Sequence, residues 1–179
     1  MKRSLLILAG VAVLVSAVSV SASRLVLSAS SARVAKQQSG FLPLPPAAPA
    51  GQMTLYGHIK SLSRKNGRFE LGFDPAWFTS GVTASRAKLA DIGSSDVPND
   101  NYTVEEGHRL LIYIVPTTAR VTVLTNDGTG IVSTKIGVSE LARIVNGGKH
   151  RKLFEQLDSG VWIRVRIDTV LELDQQYHP

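Results

Sequence analysis

The sequence predicts an α+β fold, a small curled antiparallel β-sheet or barrel with two or three inserted helices, preceded by an N-terminal signal or anchor segment and a disordered stalk. A 16-residue apolar run, residues 5–20, follows two basic residues at the N-terminus. A stretch rich in Ser, Ala and Pro occupies residues 23–51. Short runs of alternating apolar and polar residues then recur through residues 52–179, as in strands with one face on a core.

The N-terminal segment has the order of an export signal, in which basic residues precede an apolar stretch. Lys2 and Arg3 precede LLILAGVAVLVSAVSV, and Ala22 ends a small-residue pattern suited to cleavage. The apolar run is also close to the roughly 20 residues that span a bilayer, so residues 1–22 are predicted to be a cleaved signal peptide or a retained membrane anchor. Either fate makes the chain extracellular, or membrane-anchored and facing outside the cytoplasm.

The charge of the chain is unevenly distributed. Of its 20 Lys and Arg, five precede residue 52, whereas all 14 Asp and Glu follow it. The remaining 15 basic and 14 acidic residues leave residues 52–179 at +1. A nearly neutral domain lacks the basic stripe that binds a phosphate backbone, so no nucleic-acid partner is expected. The basic residues near the anchor can contact anionic lipid or a cell-wall polymer.

Residues 23–51 are predicted to be a stalk or linker. SASRLVLSASSARVAKQQSG is rich in Ser and Ala, and FLPLPPAAPAG is rich in Pro and Ala. Such a composition buries too little to fold alone, and its prolines favour an extended chain. The globular α+β domain is therefore predicted to span residues 52–179. The chain contains no cysteine, so no disulfide and no lipoprotein attachment is expected.

The first half of the domain is predicted to begin with a hairpin. TLYGHIKSLS and RFELGFD flank Asn66-Gly67, which is a strong hairpin signal, and Gly57 is a plausible bend. Pro75 is predicted to start a short helical turn, and residues 83–92 form a helix that ends at Gly93. An acidic loop, residues 94–107, follows this helix.

The second half is predicted to contain strands at residues 109–115, 119–125 and 131–136, with a turn at residues 126–128. Ser139 is predicted to cap a helix. HRKLFEQLD, residues 150–158, is predicted to be a second amphipathic segment that buries Leu153, Phe154 and Leu157. The alternation from Val161 to Asp174 predicts one long, twisted strand.

Three segments carry a family resemblance. FDPAWFTSGVTA, the G…PNDNY loop at residues 93–102 and the closing GVWIRVRIDTVLELDQQYHP resemble a group of uncharacterised exported proteins of Gram-positive bacteria. That group has an F-D-x-A-x-(F/W)-x-x-G segment, a P-N-D-x-Y loop and a closing strand ending in Tyr-x-Pro. The resemblance spans most of residues 69–179 and departs at residues 104–107, where an asparagine is expected. It implies a fold and an exported location, and it transfers no catalytic residue.

The acidic loop is a candidate calcium site, because calcium takes six to eight oxygen ligands. The candidate ligands are Asp96, Asn99, Asp100, Asn101 and Glu105. The order D-V-P-N-D-N lacks the glycine that an EF-hand has at its sixth position. Asn and Asp also form Asx-turns with their own backbone, and we interpret the loop as such a turn between a helix and a strand.

No catalytic residue and no cofactor is predicted. Ser85 and Lys88 have the spacing found in penicillin-binding enzymes, but the Ser-Asp-Asn and Lys-Thr-Gly partners of that chemistry are absent from the sequence. The four histidines, His58, His108, His150 and His178, show no metal-ligand spacing, and we interpret them as turn or surface residues.

Two surface features are candidate binding sites. Lys149, His150, Arg151 and Lys152 place positive charge where a helix is predicted to begin, so they could face an anion such as a wall polymer. The competing interpretation is a solvated loop in which Arg151 pairs with Glu155. Trp162, with Arg164 and Arg166 beside it, could form a stacking or sugar-binding platform, unless a neighbouring helix covers the tryptophan.

The sequence therefore predicts an uncharacterised exported or membrane-anchored envelope protein with a non-catalytic binding domain. Its expected partners are the membrane, if the N-terminal segment is uncleaved, and a cell-wall polymer or an envelope protein. The alternative is an envelope hydrolase whose site is assembled from dispersed residues. A deep pocket collecting Asp100, a histidine and Tyr102 or Tyr177 would favour the enzyme, whereas a flat outer face would favour binding.

Overall fold

The computed structural model of the chain describes residues 45–107 and 110–178. The predicted signal or anchor and most of the predicted stalk lie outside these residues, so both stay predictions. Within the described ranges, no helix has the length and apolar character needed to cross a membrane.

The described residues form eight strands and two α-helices. In chain order they are β1 (Met53–Lys65), β2 (Arg68–Ser80), α1 (Gly81–Ile92), β3 (Asn101–Glu105), β4 (Leu111–Val115), β5 (Arg120–Asn126), β6 (Ile131–Ile136), α2 (Val138–Val145), β7 (Val161–Arg166) and β8 (Thr169–Gln175). A short 3₁₀ turn, Leu157–Ser159, precedes β7.

Five of the strands close into a barrel. β1 pairs with β2 and β7, β2 pairs with β4, and β8 pairs with both β4 and β7, which completes the ring. β3 extends the sheet beside β2, and the β5–β6 hairpin extends it beside β8. The predicted small barrel is confirmed. The prediction that the sheet is purely antiparallel is wrong, because β8 runs parallel to β4 and β5.

The β1–β2 hairpin confirms the Asn66-Gly67 signal. Asn66 has a φ of 49° and Gly67 a φ of 79°, and two left-handed residues give a turn whose twist matches that of the strands. After this turn Phe69, Leu71 and Phe73 all point into the barrel and are buried. The local turn chemistry and the alternating pattern therefore fix the register of the longest strand pair.

Gly57 marks a close approach between β1 and β2. A Cβ at this position would lie 2.1 Å from the carbonyl oxygen of Asp74, so no larger residue fits without moving the backbone. The register shifts soon afterwards, between Ile59 and Ser61. The predicted helical turn at Pro75 is wrong, because Pro75 lies within β2, which continues to Ser80. Proline is tolerated there because β2 pairs with β4 only as far as Phe73 and with β3 only from Ala76, so Pro75 lies between these ladders and needs no N–H on that side.

The predicted single strand at the end of the chain is wrong. The chain turns back at Ile167 and Asp168, so that β7 and β8 form a hairpin. Ile167 has a φ of 57° and is 90% exposed, although its neighbours Val165 and Val170 are buried. An unbroken run of apolar odd positions concealed the turn, because Ile167 is not a residue type that turns favour.

Two predicted helical features are also corrected. α2 begins at Val138 with Gly137 as its N-cap, so Ser139 lies inside the first turn and does not cap the helix. HRKLFEQLD forms no α-helix, although Leu153 and Leu157 are buried as predicted. Phe154 is 40% exposed, and its backbone N–H donates to the Leu124 carbonyl at 2.8 Å. The segment is therefore irregular up to the 3₁₀ turn, and one backbone hydrogen bond joins it to β5.

The core fills the inside of the barrel and the space beneath α2. The buried side chains that form it include Leu62, Phe69, Leu71, Phe73, Val115, Val121, Val123, Val138, Leu141, Val161, Ile163 and Leu173. Burial of so many aliphatic and aromatic side chains is the main stabilising term of a small domain. The core positions the strands, and their outer faces carry the residues described next.

Candidate aromatic binding site

An aromatic cluster covers the outer face of the barrel where β1, β2 and β7 meet. Tyr56 on β1 lies directly opposite Trp162 on β7, and their ring centroids are 5.0 Å apart. Phe78 on β2 approaches Tyr56 at 5.2 Å and Trp162 at 5.8 Å. All three ring pairs are tilted by 55–67°, an arrangement that aromatic quadrupoles favour over a face-to-face sandwich. The three rings therefore form one rigid wall.

Tyr56 ties this wall to the end of the chain. It is buried, and its phenolic O–H donates to the Ser159 carbonyl at 3.1 Å. The same oxygen lies 3.2 Å from Nε2 of His178, whose ring also packs against Phe78 with centroids 6.0 Å apart. Burial raises the pKa of the Tyr56 phenol, so it stays neutral and keeps its hydrogen bond.

His58 lies beside Tyr56 and is held on both sides. Its Nδ1 is 3.0 Å from the Asp158 carbonyl, and its Nε2 is 3.1 Å from a carboxylate oxygen of Glu105. Both neighbours are acceptors, so a ring nitrogen that carries a hydrogen has a partner on either side. Burial and the nearby His58 together lower the pKa of His178, so the second histidine stays neutral.

A cavity of about 330 Å³ opens next to the aromatic wall. The described residues that line it are Thr54, Leu55, Tyr56, Pro75, Ala76, Trp77, Phe78, Glu106 and Trp162. Trp77 is 62% exposed, whereas Trp162 is half-buried. The chain has two tryptophans, and both line this cavity. We call it the aromatic cavity.

Three polar groups complete the lining of the aromatic cavity or support it. Glu106 is exposed and is the one charged residue among the described lining residues. The Thr54 hydroxyl is buried and has no hydrogen-bond partner within the described part of the chain. The indole N–H of Trp162 donates to Oε1 of Gln176 at 2.6 Å, and this contact with the residue that follows β8 fixes the orientation of the ring.

Of the predicted platform of Trp162, Arg164 and Arg166, only Trp162 lines the aromatic cavity among the described residues. Trp162 joins the aromatic wall, where Tyr56 and Phe78 pack against its ring. Arg164 has a side chain only 14% exposed and donates to Glu172 at 2.8 Å, so it belongs to an ion network. Arg166 is exposed at the far end of β7. Neither arginine lines the aromatic cavity among the described residues.

That ion network lies across β5, β7 and β8. Arg120 donates to Glu172 and to Asp174, each at 2.9 Å, and Arg164 donates to the same oxygen of Glu172. The hydrogen bond from Arg120 lowers the pKa of Glu172, so this carboxylate stays ionised well into acid. The charges on this part of the outer face are thus paired with one another.

The acidic loop is partly a strand. Asn101–Glu105 forms β3, which pairs with the end of β2. Lys88 donates to the Asp96 carbonyl, Asn101 Nδ2 donates to the Asn99 carbonyl at 2.8 Å, and the backbone N–H of Asp100 donates to the Val97 carbonyl at 2.9 Å. Glu105, the fifth calcium candidate, contacts His58.

These contacts are those of a turn leading into a strand. Across residues 45–107 and 110–178, no three His, Asp or Glu side chains gather in a way that could hold a metal ion. Calcium binding by the five candidate ligands stays a prediction, and it is the less favoured of the two interpretations of the loop.

The basic segment does not begin a helix. Lys149, His150 and Lys152 are exposed on the connection between α2 and β7. Arg151 donates to Glu140 of α2 at 2.9 Å, so the predicted pair with Glu155 is wrong. The reason is that side chains at i and i+4 are neighbours only in a helix, which residues 149–156 do not form, whereas Glu140 on the preceding helix lies within reach.

The catalytic candidates are dispersed. Ser85 and Lys88 both lie on α1, and Lys88 is occupied by the Asp96 carbonyl. His150 lies on the basic segment, and His108 falls outside the described residues. Neither the aromatic cavity nor a second cavity of about 220 Å³ beside α2 is lined by Asp100, Tyr102, Tyr177 or a histidine among the described residues.

Sequence reasoning missed most of this site. Tyr56 and Phe78 were not identified as candidates, and His58 and His178 were interpreted as turn or surface residues. These four residues lie up to 122 positions apart, and only the barrel brings them together. Trp77 lies in a run that was predicted to be a helical turn but is part of β2. A tryptophan in this exposed position was the one local signal of a binding site that the sequence carried. Comparisons with protein-family models, with curated proteins and with solved structures find no match to this chain.

Proposed function

We propose that this chain is an exported or membrane-anchored domain of the cell envelope that binds a partner without catalysing a reaction. The aromatic cavity is its binding site, and its partner is a cell-wall polymer or an envelope protein. The observation that carries the proposal is Trp77, which is 62% exposed at a cavity shared with Trp162. Exposed aromatic side chains in a concave, largely apolar site are characteristic of binding surfaces.

The export half of the proposal is supported by the sequence. Lys2 and Arg3 followed by the uncharged run of residues 5–20 have the order of an export signal. The absence of cysteine is consistent with a domain that depends on its core and not on disulfides. The test is the intact mass and the cell fraction after expression in a Gram-positive host. Loss of about 22 residues with protein in the medium, or full mass in the membrane pellet, supports export. Protein in the cytoplasm contradicts it.

The alternative, an envelope hydrolase, has one observation in its favour. The barrel gathers Tyr56, His58, Glu105 and His178 into a cluster of titratable groups. Binding is preferred because these groups are engaged within the fold. Both nitrogens of His58 face acceptors, and the Tyr56 hydroxyl is buried between a carbonyl and His178. A general base must reach a proton of its substrate, and contacts within the fold already occupy both nitrogens of His58.

The test of the binding half is co-sedimentation of the full chain with purified cell walls and, separately, capture on a purified envelope membrane fraction. Trp77→Ala should weaken binding at least about tenfold, since a central aromatic side chain commonly contributes 2 kcal/mol or more. Ile112→Ala is the matched control, because Ile112 is 59% exposed on β4 and does not line the aromatic cavity. Equal binding by the wild type and Trp77→Ala contradicts the proposed site.

The basic segment supplies a competing surface that the same assay can test. A double substitution, Lys149→Glu with Lys152→Glu, reverses its two exposed lysines and leaves the Arg151–Glu140 pair intact. We expect unchanged binding at moderate salt. Loss of binding in this variant, together with normal binding by Trp77→Ala, would transfer the site to the basic segment.

A further inference from the structure

We infer that the aromatic cavity binds an organic cation, an ammonium group carried on a compact apolar body. The inference rests on the proposed function and specifies the chemistry that the proposed site recognises. Charge is the first argument. Among the nine described residues that line the cavity, four are aromatic, one is acidic and none is basic. A ligand placed there meets negative potential from Glu106 and from the ring faces.

The second argument concerns what the aromatic residues offer to a ligand. Trp162 donates its indole N–H to Gln176, and Tyr56 donates its O–H to the Ser159 carbonyl. The polar groups of both side chains are therefore engaged within the fold. The half-buried Trp162 leaves ring surface for a ligand, whereas Tyr56 is only 3% exposed and mainly supports the tryptophan. The faces of indole and phenol rings carry negative partial charge and attract a cation lying within about 6 Å of the ring centre.

The third argument excludes other ligand charges. An anion would lie beside Glu106 without a basic partner among the described lining residues, which costs free energy in a partly enclosed site. A neutral polyol would need several hydrogen-bonding side chains. The Tyr56 O–H and the Trp162 N–H are already used, and of the lining hydroxyls only that of Thr54 lacks a partner within the described residues. A cation needs neither a basic partner nor several hydrogen-bonding side chains, because the ring faces and the Glu106 carboxylate attract it.

Thr54 adds a point of orientation. Its hydroxyl is buried, lies on a side chain that lines the aromatic cavity, and has no hydrogen-bond partner within the described part of the chain. Buried polar groups are normally paired, so an unpaired hydroxyl beside a cavity suits a ligand that carries its own donor or acceptor. The cavity volume of about 330 Å³ lies at the lower end of the range for small-ligand sites.

The test uses two molecules of the same shape that differ in charge. Choline carries a quaternary ammonium, and 3,3-dimethylbutan-1-ol has a carbon in place of the nitrogen. Each is titrated into the full chain, and binding is followed by the indole signals of its two tryptophans in a nitrogen-15 NMR spectrum. We expect choline to bind at least about tenfold more tightly than the alcohol, because only the charged molecule gains the cation–π attraction.

Variants of Glu106 and Trp77 test whether these two side chains cause the preference for choline over the alcohol. Glu106→Gln should reduce choline affinity about fivefold and leave the alcohol unchanged, and Trp77→Ala should weaken choline by a similar factor. Glu70→Gln is the matched control, because Glu70 also lies in the barrel but pairs with Lys65 and does not line the aromatic cavity. Equal affinity for choline and the alcohol overturns the inference, and so does the absence of choline binding at millimolar concentration.

A failure of the cation inference can be distinguished from a failure of the proposed function. If choline does not bind while envelope binding still depends on Trp77, the site is correct and its ligand is not a cation. If envelope binding is independent of Trp77, the proposed site itself is wrong, whatever choline does.

Discussion

Gly160 and Tyr56 occupy adjoining space that leaves no room for a Cβ on the glycine. A Cβ on Gly160 would lie 2.1 Å from the phenolic oxygen of Tyr56 and 2.6 Å from its ring carbon Cζ. Gly160 also has a φ of 123°, a conformation that side chains disfavour. The glycine thus allows the chain before β7 to pass over Tyr56, and the Ser159 carbonyl accepts the tyrosine's hydrogen bond from there.

Gly160→Ala should destabilise the domain by about 2 kcal/mol or more, because it combines backbone strain with a clash against a buried ring. Gly128→Ala is the control. Gly128 also has a positive φ, of 92°, but a Cβ there meets nothing within 4 Å. We expect Gly128→Ala to lower the free energy of unfolding by about 1 kcal/mol, through backbone strain alone. Denaturant unfolding measures both, and equal effects would contradict the close packing at Gly160.

His178 should make the domain less stable in mild acid. Its pKa in the folded state is lowered by burial and by His58, from an ordinary value of 6.5. Below pH 6.5 the unfolded chain therefore binds a proton that the folded chain does not, so the free energy of unfolding falls as the pH falls. It stops falling once the pH is below the lowered pKa.

The measurement is the free energy of unfolding at several pH values between 7 and 5. His178→Asn should flatten the pH dependence in this window. His150→Asn is the matched control, because His150 is exposed and lies outside the aromatic cluster. A wild-type slope that survives in His178→Asn would assign the pH dependence to other groups.

Glu172→Gln should destabilise the barrel by about 2 kcal/mol at neutral pH, since Glu172 accepts charged hydrogen bonds from Arg120 and Arg164. The pKa of Glu172 is lowered in the folded state, so its contribution is fully present above its ordinary pKa of 4.5. That contribution is lost as the pH falls through the lowered value. The stability difference between wild type and Glu172→Gln should therefore shrink in acid. A difference that is constant from pH 7 to pH 3 would contradict this assignment.

Ile167→Gly should stabilise the protein by about 1 kcal/mol, because a β-branched residue at a φ of 57° is strained and this side chain is 90% exposed. Ile112→Gly is the control, since Ile112 is also exposed but lies within β4. Glycine inside a strand should cost about 0.5–1 kcal/mol there. Thermal unfolding distinguishes the two, and a loss of stability in Ile167→Gly would show that the side chain has a structural contact.

Local signals in the sequence predicted the local structure well. The Asn66-Gly67 turn, the helix ending at Gly93 and the turn that begins at Asn126 are each set by residues that adopt special backbone angles or bond their own backbone. The prediction failed where the chain does something that its local residues do not favour. Ile167 turns without a turn residue, and Pro75 is tolerated in a strand because it lies between the β4 and β3 ladders, where its missing N–H is not needed.

The candidate site was largely beyond prediction for a different reason. Of the aromatic wall, Trp162 was identified, because it stands on a strongly alternating strand. Tyr56 and Phe78 were not identified, since their partners come from β7 and from the end of the chain. Arg164 was assigned to a platform because sequence alternation gives the face of a strand but not its neighbour on the next strand, which here is Glu172.

The most direct test of the proposed binding site uses the fluorescence of the two tryptophans, both of which line the aromatic cavity. Quenching by acrylamide is measured for the full chain, alone and with an excess of solubilised cell-envelope material. Since Trp77 is 62% exposed in the free protein, its coverage by a partner should lower the quenching constant by about half. A protein that binds the envelope material with unchanged quenching would have its binding site elsewhere, and the proposal would be wrong.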